Sequence, residues 1–141
     1  MTVGTFVVAA VVLTDAQGRI ALVRKQGTGR FMLPGGKIEP GEQPEACAIR
    51  EAAEELGVTL DPERLVLLGV WEADAANEPG HRVHGHVFAH PRVTGLAPRG
   101  EIDELIWLRP EDADGRHDLA PLFEFRVLPV LRGLGGDGMT P

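Results

Sequence analysis

The chain has no tyrosine, only two tryptophans and five phenylalanines, so aromatic residues make up 5% of its 141 positions. Few rings are left for stacking on a ligand, and each is first a candidate for the core. The single cysteine, Cys47, excludes an internal disulfide and any zinc site built from several cysteines, and nothing in cysteine usage argues for export. Long apolar runs are missing as well. Residues 6–13 form a run too short to span a bilayer, without the basic start and small-residue cleavage site of a signal peptide. We expect a buried strand there, no membrane contact and a cytoplasmic location. Positive charge is also scarce: 14 Lys and Arg face 21 Asp and Glu, giving a net charge of −7 and a pI near 5.2. Such a balance is unsuited to gripping the phosphates of a nucleic acid polymer. The expected partner is small.

What is present reads as one globular unit. The hydrophobic share of 43% and charged share of 25% are ordinary for a folded domain, and a chain of this length can bury a sizeable core. Residues 6–13 and 20–24 are apolar, β-branched runs joined by Asp15-Ala16-Gln17-Gly18, which predicts a hairpin. A short apolar piece, 31–33, runs into Pro34-Gly35-Gly36, and Glu39-Pro40-Gly41-Glu42 is a second turn cluster. Pro44 then suits the first position of a helix over 44–56, with Gly57 placed to end it. Further strands are expected at 65–71, 83–88 and 105–108, and a helix over 119–131 strained by Pro129. The domain is expected to span 1–132, with 133–141 as a disordered glycine-rich tail. No internal repeat or interdomain linker is visible.

Charge is unevenly spread. Five basic residues, Arg19, Arg24, Lys25, Arg30 and Lys37, fall between positions 19 and 37 with no acid among them, which is either a solvated face or a local anion site. The helix that follows is acidic. At about 100° per residue, Ile49, Ala52, Ala53 and Leu56 share one stripe while Glu51, Glu54 and Glu55 occupy a narrow arc opposite. Like charges three and four residues apart cost a helix a few tenths of a kcal/mol per pair. Three converging carboxylates suit a hard divalent cation such as Mg2+. Taken alone, such a helix is also an ordinary solvated acidic face.

The loop before it decides between those readings. Gly36, five residues, Glu42, seven residues, then Arg50-Glu51-Ala52-Ala53-Glu54-Glu55-Leu56-Gly57-Val58 resembles the signature box of the Nudix hydrolases. Every charged and glycine position of that pattern is filled, and the one soft departure is Ala52, where a larger aliphatic residue is usual. The flank Phe31-Met32-Leu33-Pro34-Gly35-Gly36 is similar to the strand and loop that lead into the box. In detail the resemblance covers residues 31–58, and in organisation residues 5–132.

The resemblance implies an α/β fold, the Nudix fold, in which a mixed β-sheet is sandwiched between helices as an α/β/α sandwich. It implies a small nucleotide-like substrate cleaved at a phosphoanhydride bond with Mg2+, for which Mn2+ can substitute. Glu51, Glu54 and Glu55 stand where the family places its metal carboxylates, Arg50 where an arginine orients them, and Glu42 where a loop carboxylate supports them. Glu51 or Glu54 is the expected base toward an attacking water. Arg24, Arg30 and Lys37 are candidate phosphate contacts, Gly36 lets the loop backbone approach phosphate, and Gly57 ends the helix. A glutamate before a late strand often swings in to complete such sites. Among Glu101, Asp103 and Glu104, the choice falls on Glu101, freed by Gly100 and suitably spaced from Trp107.

Substrate markers narrow the field. The proline that often follows the box in ADP-ribose-cleaving members has no counterpart, since Pro62 is too close, and the tyrosine of many dinucleoside polyphosphate hydrolases is absent. The remaining reading is a compact, MutT-like nucleoside triphosphate pyrophosphohydrolase of the nucleotide-sanitising kind. Its alternatives are a nucleotide-sugar pyrophosphatase and a non-catalytic nucleotide-sensing module. Phe31, Trp71 and Phe88 are the candidates for stacking on a base. His84, His86 and His90 are read as strand residues, Cys47 as a small spacer, and a homodimer is compatible with the resemblance.

Overall fold

The computed structural model describes residues 4–135. The predicted hairpin turn forms and then fails to hold its strands together. Asp15 N–H donates to the Arg19 carbonyl at 3.0 Å, its carboxylate accepts from the N–H groups of Gln17 and Arg19, and Gly18 supplies a φ of 78°. Strand β1 (Gly4–Val12) and strand β2 (Ile20–Lys25) nevertheless meet only through the bridge Thr14↔Ile20 before entering different sheets.

The larger sheet is mixed. Strand β1 pairs antiparallel with β3 (Gly35–Lys37) and parallel with β5 (His81–Ala89), which pairs antiparallel with β4 (Val66–Asp74) at the edge. The smaller sheet joins β2 antiparallel to β6 (Ile102–Leu108). β1 from Ala9 onward and β2 as far as Val23 are buried on both faces, which explains the apolar runs there, whereas Val7 in the first half of β1 is exposed. Ala9, Val11, Ala21 and Val23 face one core with helix α1 (Pro44–Leu56); Ala10, Val12, Ile20 and Leu22 face another with the C-terminal helical segment. Layers of helix, sheet and helix result, as the resemblance implies. No helix among the described residues is long and apolar enough to cross a membrane.

Pro129 is accommodated where a strained helix was expected. An interior proline removes a hydrogen bond and crowds the preceding turn. Residues 121–135 are continuously helical: the stretch Leu122–Val127 is π-type, with Leu128 N–H reaching back to the Phe123 carbonyl, and Pro129 follows it in α2 (Leu128–Gly135). Residues 133–135, expected in the tail, form the last turn of α2; residues 136–141 lie outside the described residues.

Helix α1 is rotated from the expected stripe. Cys47, Ala48, Ala52, Glu55 and Leu56 are buried, whereas Ala53 is exposed and Ile49 only half-buried. The small side chains Cys47, Ala48 and Ala52 let the helix lie close on β1 and β3, so the Ala52 departure becomes a packing feature. The strand contact is equally tight. A Cβ on Gly35 would overlap the Ala9 carbonyl oxygen and lie 2.7 Å from Ala10 Cα, backbone that cannot yield separately. Gly35→Ala is therefore expected to cost about 2 kcal/mol or more and to lower Tm by roughly 5 °C. A thermal melt of the metal-free protein checks this, and an unchanged Tm would show that β3 moves freely.

Candidate active site

The turn Glu39-Pro40-Gly41-Glu42 sets the first charge. Glu42 N–H donates to the Glu39 carbonyl at 2.9 Å, Gly41 takes a φ of 79°, and Glu39 N–H returns a bond to Glu42 Oε1 at 3.0 Å. This aims the Glu42 carboxylate at Arg50, which donates to it through Nε at 2.8 Å and Nη2 at 3.0 Å. The Arg50 bonds, backed by the Glu39 N–H, hold the Glu42 carboxyl down to about 2. Arg50 Nη1 also bonds Glu51 Oε2 at 2.8 Å and lies 3.4 Å from Glu54 Oε2. One guanidinium thus gathers three carboxylates.

The glutamates differ in setting. Glu54 is open to solvent, with 58% of its side chain exposed, while Glu51 retains 13% and packs against Gly36. Glu55, expected on the acidic solvent face, is buried and does not line the cleft. Its Oε1 accepts Gly35 N–H at 3.1 Å, and burial, followed by the neighbouring Glu51 carboxylate, pushes its pKa up to about 8. A buried carboxyl beside a carboxylate, in an all-oxygen donor set, fits a hard divalent cation. Among the described residues no three acidic, histidine or cysteine side chains converge as a ready-made metal cage. In this arrangement Glu51 and Glu54 are turned toward Arg50.

These groups open onto a cleft of about 410 Å3. Its lining combines the charged side chains of Lys25, Lys37, Arg50, Glu51, Glu54 and Glu101 and the Gly36 backbone with the apolar side chains of Phe6, Val8, Val83, Leu122 and Phe123, and Glu39, Asp74 and Glu78 complete its acidic share. Lys37 Nζ lies 3.9 Å from the Phe6 ring centre, and His81 stacks on the same ring at 4.8 Å. Glu101 lines the cleft, whereas Asp103 and Glu104 pair with Arg24 at 2.7 and 3.3 Å outside it. Arg30 donates to the Leu119 carbonyl at 3.0 Å and does not line this cleft, nor does Arg24.

Lys25 was not among the expected phosphate contacts. Its signal is strand parity, since Ala21 and Val23 face α1 and Lys25 follows them, although a bulge between Arg24 and Lys25 loosens the rule. The expected stacking rings are elsewhere: Phe31 is buried with the guanidinium groups of Arg24 and Arg116 near its ring, Trp71 packs over Gly69, and Phe88 is core. Cys47 is a buried spacer, its Sγ 3.5 Å from the Gly36 carbonyl and its thiol pushed up to about 11 by burial. His84 and His86 lie on β5, and buried His90 follows it, accepting Asp61 N–H at 2.9 Å.

A family model described as NUDIX domain matches residues 4–130. The chain belongs to the NUDIX family. It is 32% identical over 120 residues to the CTP pyrophosphohydrolase of Escherichia coli strain K12, covering 82% of each chain. It is 30% identical over 129 residues to a MutT-like protein of Streptomyces ambofaciens, covering 91% of this chain and 77% of that one. The crystal structure of a MutT protein from Methanosarcina mazei Go1 superposes with a TM-score of 0.73 at 22% identity, covering 91% of each chain, and shows the same fold. As a NUDIX enzyme the chain is a hydrolase acting on pyrophosphate bonds.

Proposed function

We propose that this NUDIX hydrolase converts a nucleoside triphosphate to the monophosphate and pyrophosphate with Mg2+. The observation that carries the reading is a cleft of about 410 Å3 whose lining brings the box glutamates and two lysines together with the apolar side chains of Phe6, Val8, Val83, Leu122 and Phe123. That volume lies within the usual range for small-molecule sites. The CTP pyrophosphohydrolase relative supports the triphosphate reading.

Glu51 and Glu54, with Glu55 behind them and Glu101 across the cleft, would hold the cation, which when bound neutralises phosphate charge and lowers the pKa of a coordinated water. Lys25 and Lys37 meet the phosphates, and the base lies against Val8, Val83 and Leu122. Arg50 holds Glu51 and Glu54 together. Glu54, open to solvent and tied only loosely to Arg50, accepts the proton of the attacking water. A new bond forms between that water's oxygen and a phosphorus of the α–β anhydride, that anhydride bond breaks, and monophosphate and pyrophosphate separate.

The test is a panel of nucleotides and nucleotide sugars with Mg2+, products identified by mass, repeated in excess chelator. Monophosphate plus pyrophosphate is expected, with turnover lost on chelation and Tm retained. Turnover that survives chelation would overturn the metal reading, and two monophosphate products would reassign the substrate to the nucleotide-sugar class.

A further inference from the structure

The C-terminal end of α1 is finished by a distant stretch of chain. A helix leaves its last four carbonyls without intrahelical partners. Here Gly57 N–H bonds the Ala53 carbonyl at 3.0 Å, Arg99 N–H the Glu55 carbonyl at 2.9 Å, and Ala97 N–H the Leu56 carbonyl at 3.2 Å. The Arg99 side chain lies directly on Gly57, whose absent Cβ would be 2.5 Å from Nε and 2.7 Å from Cζ. Its positive charge therefore sits at the negative end of the helix dipole. Gly57 has a φ of 71°, so glycine there both ends the helix and makes room for Arg99.

The same stretch carries Glu101. Ile102 N–H closes a turn onto the Arg99 carbonyl at 3.0 Å, Gly100 at its corner has a φ of 59°, and the Glu101 carbonyl accepts Gln26 N–H at 2.8 Å beside β2. Residues 97–101 thus form a strap fastened at one end to the helix bearing Glu51 and Glu54, and at the other to the strand bearing Lys25. The resemblance implies a Glu101 that swings in with substrate; in this structure its backbone is bonded to Gln26 N–H and its turn to the end of α1.

We propose that Arg99 is a positioning residue, which by docking on the end of α1 presets Glu101 in the lining of the cleft before substrate arrives. The proposal rests on the reading that Glu101 belongs to the metal site. It is tested by Mn2+ binding without substrate, followed by electron paramagnetic resonance of free Mn2+, together with kcat and Tm for Glu101→Gln, Arg99→Ala, Arg99→Lys and the double variant Arg99→Ala/Glu101→Gln. Glu101→Gln is expected to lower kcat about tenfold or more and to weaken Mn2+ binding. Arg99→Ala should lower kcat and weaken Mn2+ binding about two- to fivefold, the size of a charge effect at a helix end, with Arg99→Lys recovering most of it. The double variant should be no worse than Glu101→Gln alone, because Arg99 acts through that carboxylate. Normal Mn2+ binding and kcat in Glu101→Gln would overturn both the Glu101 reading and this proposal. An impaired Glu101→Gln with an additive double variant, or an Arg99→Ala change confined to Tm, would overturn the Arg99 role alone.

Discussion

Replacing Glu54 by glutamine is expected to lower kcat by about two orders of magnitude or more, the contribution of a positioned base or of a carboxylate on the metal. The folded chain should hardly notice. Glu54 is 58% exposed, packs in neither core, and among the described residues its carboxylate pairs only with Arg50, at 3.4 Å, a surface pair of the kind worth about 0–1 kcal/mol. Against that small loss stands relief from repulsion by Glu51 on the preceding turn. Arg50 keeps its bonds to Glu42 and Glu51, so the orientation of the remaining carboxylates survives. The metal-free protein should therefore melt at an unchanged or slightly higher temperature while steady-state turnover at saturating Mg2+ collapses. A rate within about threefold of the parent would remove Glu54 from the chemistry. A large fall in Tm would make it a structural residue instead.

The carboxylate cluster around Arg50 is legible in the sequence because it is local. Glu42, Arg50, Glu51 and Glu54 lie on one turn and one helix, and the spacing that brings them together is fixed by helical geometry. The rotation of α1 is less legible. A stripe chosen by hydrophobicity favours Ile49 and Leu56 and gives Ala53 equal weight with Ala48, yet the close approach to β1 selects the smallest side chains, Cys47, Ala48 and Ala52. Once that face is in, Glu55 goes with it, and no periodicity argument places a glutamate in a core.

The apolar lining of the cleft is harder to read for a different reason. Its floor arises from the parallel pairing of β1 with β5, a contact between distant segments, and its wall from a π-type turn, a departure from helical periodicity that a regular pattern does not announce. Phe6 shares strand parity with Val8 and Ala10, which is enough to place it on their face, but not to reveal that this face stays open toward the cleft. Trp71 and Phe88 look more available for stacking and are spent on packing. The divergence of β1 and β2 belongs to the same class, because the hairpin turn is local while the partners that separate its strands are not.

Gly36→Ala should behave as the reverse of Gly35→Ala one residue earlier. A Cβ at Gly36 would lie 2.5 Å from Glu51 Oε2 and 2.6 Å from its carboxyl carbon, so the group it strikes is the end of a flexible side chain. Glu51 can swing aside at little cost, and the backbone there has no left-handed conformation that an alanine would strain. The resemblance gives this glycine the role of admitting phosphate; in the structure it also admits the Glu51 carboxylate. Stability should stay within about 1 kcal/mol of the parent. Activity should not, since displacing a reacting or metal-holding group by about 1 Å can cost on the order of a hundredfold. The carboxylate has no equivalent place to go, because Arg50 on its other side is already held at 2.8 Å by Glu42. Measured together, Tm and kcat separate the two glycines: Gly35→Ala loses the first and Gly36→Ala the second. A Gly36→Ala protein with near-normal kcat would mean that Glu51 works from more than one position, and the close fit of loop to helix would then be packing alone.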